Sequence, residues 1–308
     1  MINVFEELKK QSLNYDKLNN IQTKYFIDSF LVSEAITMIY GKESQGKTFF
    51  LLGLVKKFEA MEDVKRIVYI DLDNPKTQLK KRNLHLHFKD KEKITYIHKG
   101  DMTMDKDELL ELFKQGARMT GEYYKDCIFI IDSTRDFVYN SYNDVEVKKF
   151  MQVMKDIREA GGTVLLIHHS TKSGKVIDGS ADFTKSADNV YEFKQKARFE
   201  NMLHFTLKVE YDRDDIKNCG FSVQTQTLEL KELDSDLSMM SEYEEKFVNS
   251  AARALEKNPQ GLNRTQMLEA TGHQKTDNNA RDTLKKFTDK FWKEEKQKGT
   301  YTYRLINQ

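Results

Sequence analysis

The chain has 308 residues, 39% hydrophobic and 32% charged, which suits a folded protein with an ample core and excludes a disordered one. Fifty Lys and Arg against forty-nine Asp and Glu leave a net charge of +1, so a nucleic-acid site must be a local patch in a balanced whole. Two cysteines, Cys127 and Cys219, without CxxC spacing, exclude a disulfide framework. With no apolar run of membrane-spanning length and no signal-like core in "MINVFEELKK", a cytoplasmic protein without a membrane contact is expected.

Taken in chain order, five nearly continuous apolar runs are predicted strands: 35–41 (AITMIYG), 66–72 (RIVYIDL), 94–100 (ITYIHKG), 127–133 (CIFIIDS) and 163–169 (TVLLIHH). Such runs belong to strands buried on both faces, as in a parallel sheet covered by helices. The spacers TFFLLGLVKKFEAM, KDELLELFKQGARM and VKKFMQVMKDIREAGG carry helical periodicity, the last closing on glycines. Beyond residue 188, DNVYEFKQ, MLHFTLKVEYDRD and FSVQTQTLELKEL read as strands with short connections, an antiparallel extension of the sheet. The fold class expected is α/β: residues 1–233 as a doubly wound core, 234–241 as a polar linker and 242–308 as a small second domain.

Between the first strand and the first helix stands G-x-x-x-x-G-K-[ST]: Gly41, then Glu43, Ser44 and Gln45, then Gly46, Lys47 and Thr48, with Phe49 opening the helix. Glycines let successive backbone N–H groups aim at phosphate oxygens, and the helix N-terminus adds its dipole. Lys47 is expected to reach the β- and γ-phosphates of ATP, and the Thr48 hydroxyl to ligate Mg²⁺. Asp132, ending the apolar run CIFIID, supplies the carboxylate that a magnesium shell needs.

At this point the order of motifs resembles the RecA-like P-loop ATPases, in particular the RepA/DnaB-type hexameric replicative helicases, over roughly residues 25–215. The resemblance rests on YFIDSFLVSEAITMIYGKESQGKT, on VYIDLDNPKTQLKKR with its strand-end carboxylate and following arginine, on IIDSTRDFVYNSYNDVEVKKFMQVMKDIREAGGTVLLIHHSTKSG, and on DGSADFTKSADNVYEF. It implies a water-activating carboxylate at Asp73, where the family carries Glu, with Asp71 as the alternative. It implies a γ-phosphate sensor at His169, while His168 faces the other way. Arg213 matches an arginine finger reaching a neighbour's site; the alternative is a surface arginine paired with Asp212 or Asp214. A finger in trans implies a homo-oligomer, a hexamer in this family, with replication proteins as further partners. Arg135, Lys172, Lys175 and Lys185, in the loops 134–147 and 170–187, are the candidates for gripping single-stranded DNA; the alternative is solvated loops.

The C-terminal stretch reads as a helix over SEYEEKFVNSAARALEK, a short helix capped by Asn263 and ended by Gly272, and a third helix capped by Thr276 or Asp277. On the third, Ala280, Leu284, Phe287 and Phe291 form one face, and a hairpin follows with its turn near Lys298-Gly299. This order resembles a winged-helix domain. Residues 275–298 hold eight Lys/Arg and five Asp/Glu, a local +3. Lys275, Asn278, Asn279, Arg281 and Lys285 are the outward candidates for duplex DNA, with protein docking as the alternative use.

Two functions follow as expectations: an ATP-driven motor on single-stranded DNA, or an ATP-gated regulator whose C-terminal domain reads duplex DNA. A small-molecule kinase, sharing the phosphate loop, would leave the C-terminal domain without a role.

Overall fold

A computed structural model describes residues 4–10, 12, 22–119, 122–171, 173–174, 176–199, 201–234, 238–297 and 300–306. The chain divides into two compact units, Met1–Ser238 and Met239–Gln308. In the first, the elements run α1 (Val4–Lys10), β1 (Tyr25–Ile27), β2 (Leu31–Val32), β3 (Ile36–Gly41), α2 (Lys47–Glu59), β4 (Arg66–Asp71), α3 (Lys76–Lys81), α4 (Leu84–His87), β5 (Ile94–His98), α5 (Lys106–Ala117), β6 (Cys127–Asp132), α6 (Thr134–Phe137), α7 (Asp144–Glu159), β7 (Thr163–His169), α8 (Asp182–Lys185), β8 (Asn189–Phe199), β9 (Met202–Tyr211), β10 (Cys219–Gln224) and β11 (Leu230–Leu233).

Nine strands form one sheet in the order β11-β10-β9-β8-β3-β7-β6-β4-β5. The run from β5 to β8 is parallel, and β8 to β11 is antiparallel. This is the mainly parallel α/β architecture expected of a RecA-like core. The segment 221–233, read from sequence as one strand, is the end of β10 and all of β11, because residues 225–229 turn the chain back on itself. Alternate residues of the central strands feed two cores: Ile39, Ile67, Ile130 and Ile167 pack with α2 on one face, and Met38, Ile70, Ile131 and Leu166 pack with α5 and α7 on the other. That two-sided burial is why these strands read as unbroken apolar runs. Phe50 of α2 anchors the first core, its ring 5.2–6.0 Å from those of Phe30, Phe193, Phe205 and Phe221; truncating such a side chain to alanine costs about 3–5 kcal/mol. Helices α5 and α7 begin on side-chain caps, Asp105 and Asn143. Helix α2 begins on Gly46, which has none.

The second unit contains α9 (Glu242–Lys257), β12 (Leu262–Asn263), α10 (Arg264–Ala270), α11 (Asn278–Lys286), β13 (Trp292–Gln297) and β14 (Thr300–Leu305), with a sheet ordered β12-β14-β13. Ser241, Asn263 and Asp277 cap its three helices. Helix α11 stops at Lys286, so Phe291 reaches the core from the connection after the helix and not from its face. Trp292, fully buried, donates its indole N–H to the Leu284 carbonyl at 3.1 Å and pins that connection down. The turn predicted at Lys298-Gly299 lies outside the described residues.

Candidate active site

The C-terminal ends of the parallel strands share one edge, because Gly41 lies level with His169, and Asp71 with both Asp132 and His98. There the phosphate loop turns from β3 into α2. Ser44 and Gly46 both take left-handed backbone angles, φ 60° and 82°, a local arrangement that turns successive N–H groups toward one concavity. Gly46 also lies under the β8–β9 hairpin: a Cβ there would come within 3.0 Å of the Phe205 ring. At Gly41 a Cβ would meet the Phe193 carbonyl oxygen at 2.5 Å. Both motif glycines are therefore fixed by close approach of chain as well as by the loop's turn.

A cleft of about 350 Å³ opens over this loop, and Glu43, Ser44, Gln45, Gly46, Lys47 and Thr48 line one side of it. Asp73, Asn74, Pro75, Gln78, Arg82, Asp132 and His169 line the rest. Lys47 is 6% exposed, and its ammonium donates to the carbonyls of Gly41 (2.8 Å) and Lys42 (2.6 Å). Burial pulls its pKa down to about 8, against the opposing pull of Asp132, Glu43 and Asp73. Asp132 accepts from Thr48 Oγ1 at 3.2 Å and from the Tyr69 hydroxyl at 2.9 Å. Its own burial and the neighbouring Asp71 push its carboxyl up to about 6. His169 is held below the ordinary histidine range by burial and by Lys47, and its Nδ1 is enclosed with no hydrogen-bond partner. Gln45 Oε1 is likewise enclosed and unpartnered. Phe49 carries the Arg82 guanidinium over its ring at 5.0 Å.

These residues fit a nucleoside triphosphate with a divalent ion. An ammonium hydrogen-bonded only to carbonyls, a helix start without a side-chain cap, and a Thr–Asp pair at hydrogen-bond distance all call for anionic oxygens and a cation. Thr48 and Asp132 are the residues that would hold the ion. Among the described residues no group of three or more His, Cys, Asp or Glu side chains forms a metal cage, so such an ion would complete its shell with phosphate oxygens and water.

Asp73 is exposed on the cleft wall, whereas Asp71, the alternative carboxylate, is fully buried and spent on structure. Asp71 accepts from the backbone N–H of Asp73 (3.2 Å) and Asn74 (2.9 Å), from Asn74 Nδ2 (3.0 Å) and from the Tyr96 hydroxyl (2.5 Å). His168 is buried away from the cleft, bonded to Thr134 and to the Asp178 carbonyl. Arg213 does not line the cleft. Register places it at the opposite edge of the sheet, beside the start of β3, where it pairs with Asp188 at 3.3 Å and not with Asp212 or Asp214. Arg135 stands beside the cleft, 3.8 Å from Glu43 and 3.9 Å from Asp178, so acids already share its charge. Lys185 is exposed. Lys172 and Lys175 lie outside the described residues. In the second unit Lys275, Asn278, Asn279 and Lys285 are exposed, but Arg281 is half-buried with its Nε enclosed, because it turns toward the body of that unit.

Sequence reasoning missed Tyr69, Tyr96 and Asn74, and quoted Arg82 without giving it a role. Tyr69 and Tyr96 stack at 4.8 Å on adjacent strands and hold Asp132 and Asp71 respectively. A cross-strand partnership needs the register, which no local pattern carries. Asn74 left a readable signal: an Asp at a strand end followed three residues later by Asn-Pro is the pattern of an Asx turn.

Phosphate loop, lysine, Thr–Asp pair and cleft-edge histidine on a mainly parallel sheet together define a P-loop ATPase core. Residues 7–175 match the model of a family described as AAA domain (AAA_25), more than half of the chain, and the protein belongs to that family. No curated protein matches it. Among solved structures, the flagellar accessory protein FlaH from Methanocaldococcus jannaschii is similar over 67% of this chain and 91% of its own, at 17% identity and a TM-score of 0.46. No described helix is long and apolar enough to cross a membrane.

Proposed function

We propose that this protein is an ATP-hydrolysing motor that acts on single-stranded DNA, of the RepA-like replicative helicase type, working in the cytoplasm as a ring-shaped homo-oligomer, a hexamer. The observation that carries the reading is the sharing of one sheet edge by the phosphate cleft and a basic, aromatic surface. A second depression of about 380 Å³ there is lined by Lys99, Lys106, Arg135 and Tyr139 among others. Tyr139 and Tyr142 are 71% and 67% exposed, and Lys106 sits 5.2 Å over the Tyr139 ring. Cations beside exposed rings suit a single strand, whose phosphates and bases need one each. In the cleft, Lys47 offsets charge developing on the phosphates and Asp73 orients the attacking water. His169 registers the phosphate's departure, Arg213 completes a neighbour's site, and Arg135 and Lys185 stand on the loops that take the strand. Thr48 and Asp132 would hold a divalent ion, which would supply further neutralisation of the phosphate oxygens.

The test is ATP hydrolysis with and without single-stranded DNA, beside Lys47→Ala, with particle mass followed in the presence of ATP. Stimulation by any single strand together with a ring-sized particle supports the motor. The second reading, an ATP-gated regulator, is favoured by the second unit's helix–strand–helix–helix–hairpin order and by exposed Lys275, Asn279 and Lys285 on and before α11. As a winged helix, that unit would present α11 to duplex DNA. Binding confined to one duplex sequence, with no response to single strands, would replace the motor by the regulator.

A further inference from the structure

Asn74 follows Asp73 directly, is 8% exposed, and has its backbone and side-chain polar groups engaged. Its backbone N–H and its Nδ2 both donate to Asp71 Oδ1, at 2.9 and 3.0 Å, and Nδ2 reaches Asp132 Oδ2 at 3.5 Å. Its Oδ1 accepts from Arg82 Nη1 at 2.8 Å, and its carbonyl accepts from His98 Nε2 at 2.9 Å. His98 Nδ1 accepts from the Gly100 N–H at 3.0 Å, which leaves the ring proton on Nε2. The amide orientation follows from the same network, with NH₂ toward two carboxylates and the oxygen toward a guanidinium.

The side chain thus ties the ends of β4 and β6 to Arg82 at the C-terminus of α3, and the backbone carbonyl of the same residue adds the end of β5. Among the described residues Arg82's side chain donates to neutral amide oxygens, Asn74 Oδ1 and Gln78 Oε1 at 3.3 Å, and to no carboxylate, so it faces the cleft with no acid bound to it. The same amide donates to Asp71 and Asp132 and accepts from Arg82, so it stands between that guanidinium and two buried carboxylates that would otherwise be open to pair with it.

We infer that Asn74 is a positioning residue for ATP hydrolysis: it holds Arg82 on the wall of the phosphate cleft and keeps it off the two buried carboxylates. This assignment rests on the ATPase reading of the cleft. Arg82, so held, is available to phosphoryl oxygens of the nucleotide.

The experiment compares Asn74→Ala, Arg82→Ala and the double variant in steady-state hydrolysis, with melting temperatures and ¹⁵N-arginine spectra alongside. Each single variant is expected to lower kcat about 10-fold or more, with KM for ATP kept within about twofold. The double variant should fall no further than Arg82→Ala, because Asn74 acts through Arg82. The Arg82 guanidinium signal, distinct in the parent protein, should collapse to the averaged position in Asn74→Ala while melting is retained. Losses that multiply in the double variant, a KM effect at unchanged kcat, or an unmoved Arg82 signal would each overturn the assignment. If the parent protein hydrolyses no ATP, the ATPase reading falls, and the Arg82 signal still decides whether Asn74 holds that side chain.

Discussion

The two edges of the parallel sheet bury charge in opposite ways. At the edge where β3 begins, Asp188 takes both Nη1 contacts of Arg158, at 2.7 and 2.9 Å, a third from Arg213, and the Ile36 backbone N–H at 2.9 Å. Its charge is neutralised and its lone pairs are occupied. At the edge where β3 ends, Lys47 hydrogen-bonds only to carbonyls, Gln45 and His169 each keep an enclosed polar atom without a partner, and burial opposes the charged form of Lys47, Asp132 and His169 alike. A folded chain rarely leaves buried polar groups short of partners unless something else supplies them. The closed cluster is structural, and the open one is a binding site.

Removing one residue from each edge should therefore have opposite consequences. Asp188→Ala leaves two arginines, one of them largely covered, without their shared acid, and is expected to destabilise the protein by about 3–5 kcal/mol in denaturant unfolding. Lys47→Ala relieves a desolvated ammonium and should leave nucleotide-free stability nearly unchanged. It should nevertheless lower hydrolysis at least about 100-fold and erase the ~2.7 kcal/mol of stabilisation that ATP with Mg²⁺ at about 100 times its Kd gives a single site. Equal destabilisation by the two substitutions would break the contrast.

How far the two edges can be read from sequence also differs. The open edge announces itself because phosphate binding is done by a contiguous loop, and Gly41, Gly46, Lys47 and Thr48 are neighbours in the chain. Asp132 was legible for a related reason, ending a run whose apolar residues are buried on both sides, whereas His169 stood out only through the resemblance of its strand to the RecA-like family. The closed edge was not legible: as the alternative to a finger, Arg213 was to meet Asp212 or Asp214, its sequence neighbours, yet β8 and β9 bring it to Asp188, 25 residues away along the chain. The Tyr69–Asp132 and Tyr96–Asp71 bonds were hidden for the same reason, since adjacent parallel strands come from distant segments. Contact between strands is where local pattern stops carrying information.

The edges should also separate by pH. Burial raises Asp132 to about 6 from the ordinary 3.8, so between those values the folded protein holds a proton that the unfolded chain has released. Nucleotide-free stability contributed by this group therefore falls as pH rises from about 4 to about 6. Lys47, lowered to about 8 from 10.5, acts in the other direction: between those values the unfolded chain holds the proton, and stability rises with pH. The arginines of the closed edge stay charged across both windows. Unfolding midpoints measured against pH should show the first slope in the parent protein and lose it in Asp132→Asn, and show the second and lose it in Lys47→Met. A slope that survives its substitution would assign it elsewhere.

Arg213 carries the smallest expected change in stability and separates the two roles open to it. Its side chain is 53% exposed, and Arg158 keeps Asp188 occupied without it, so Arg213→Ala should cost under about 1 kcal/mol in unfolding. It sits at the edge away from its own phosphate cleft, so the finger role proposed for it would be exerted on another subunit. Mixing makes that visible. A subunit carrying Arg213→Ala keeps an intact Lys47, and one carrying Lys47→Ala keeps an intact Arg213, so a mixed assembly places a complete cleft beside a complete finger. Arg213→Ala and Lys47→Ala should each be inactive alone and recover hydrolysis when combined, as an arginine supplied by a neighbour requires. Full activity of Arg213→Ala by itself would leave this residue as a surface partner of Asp188 and move the search for the finger to another part of the sheet.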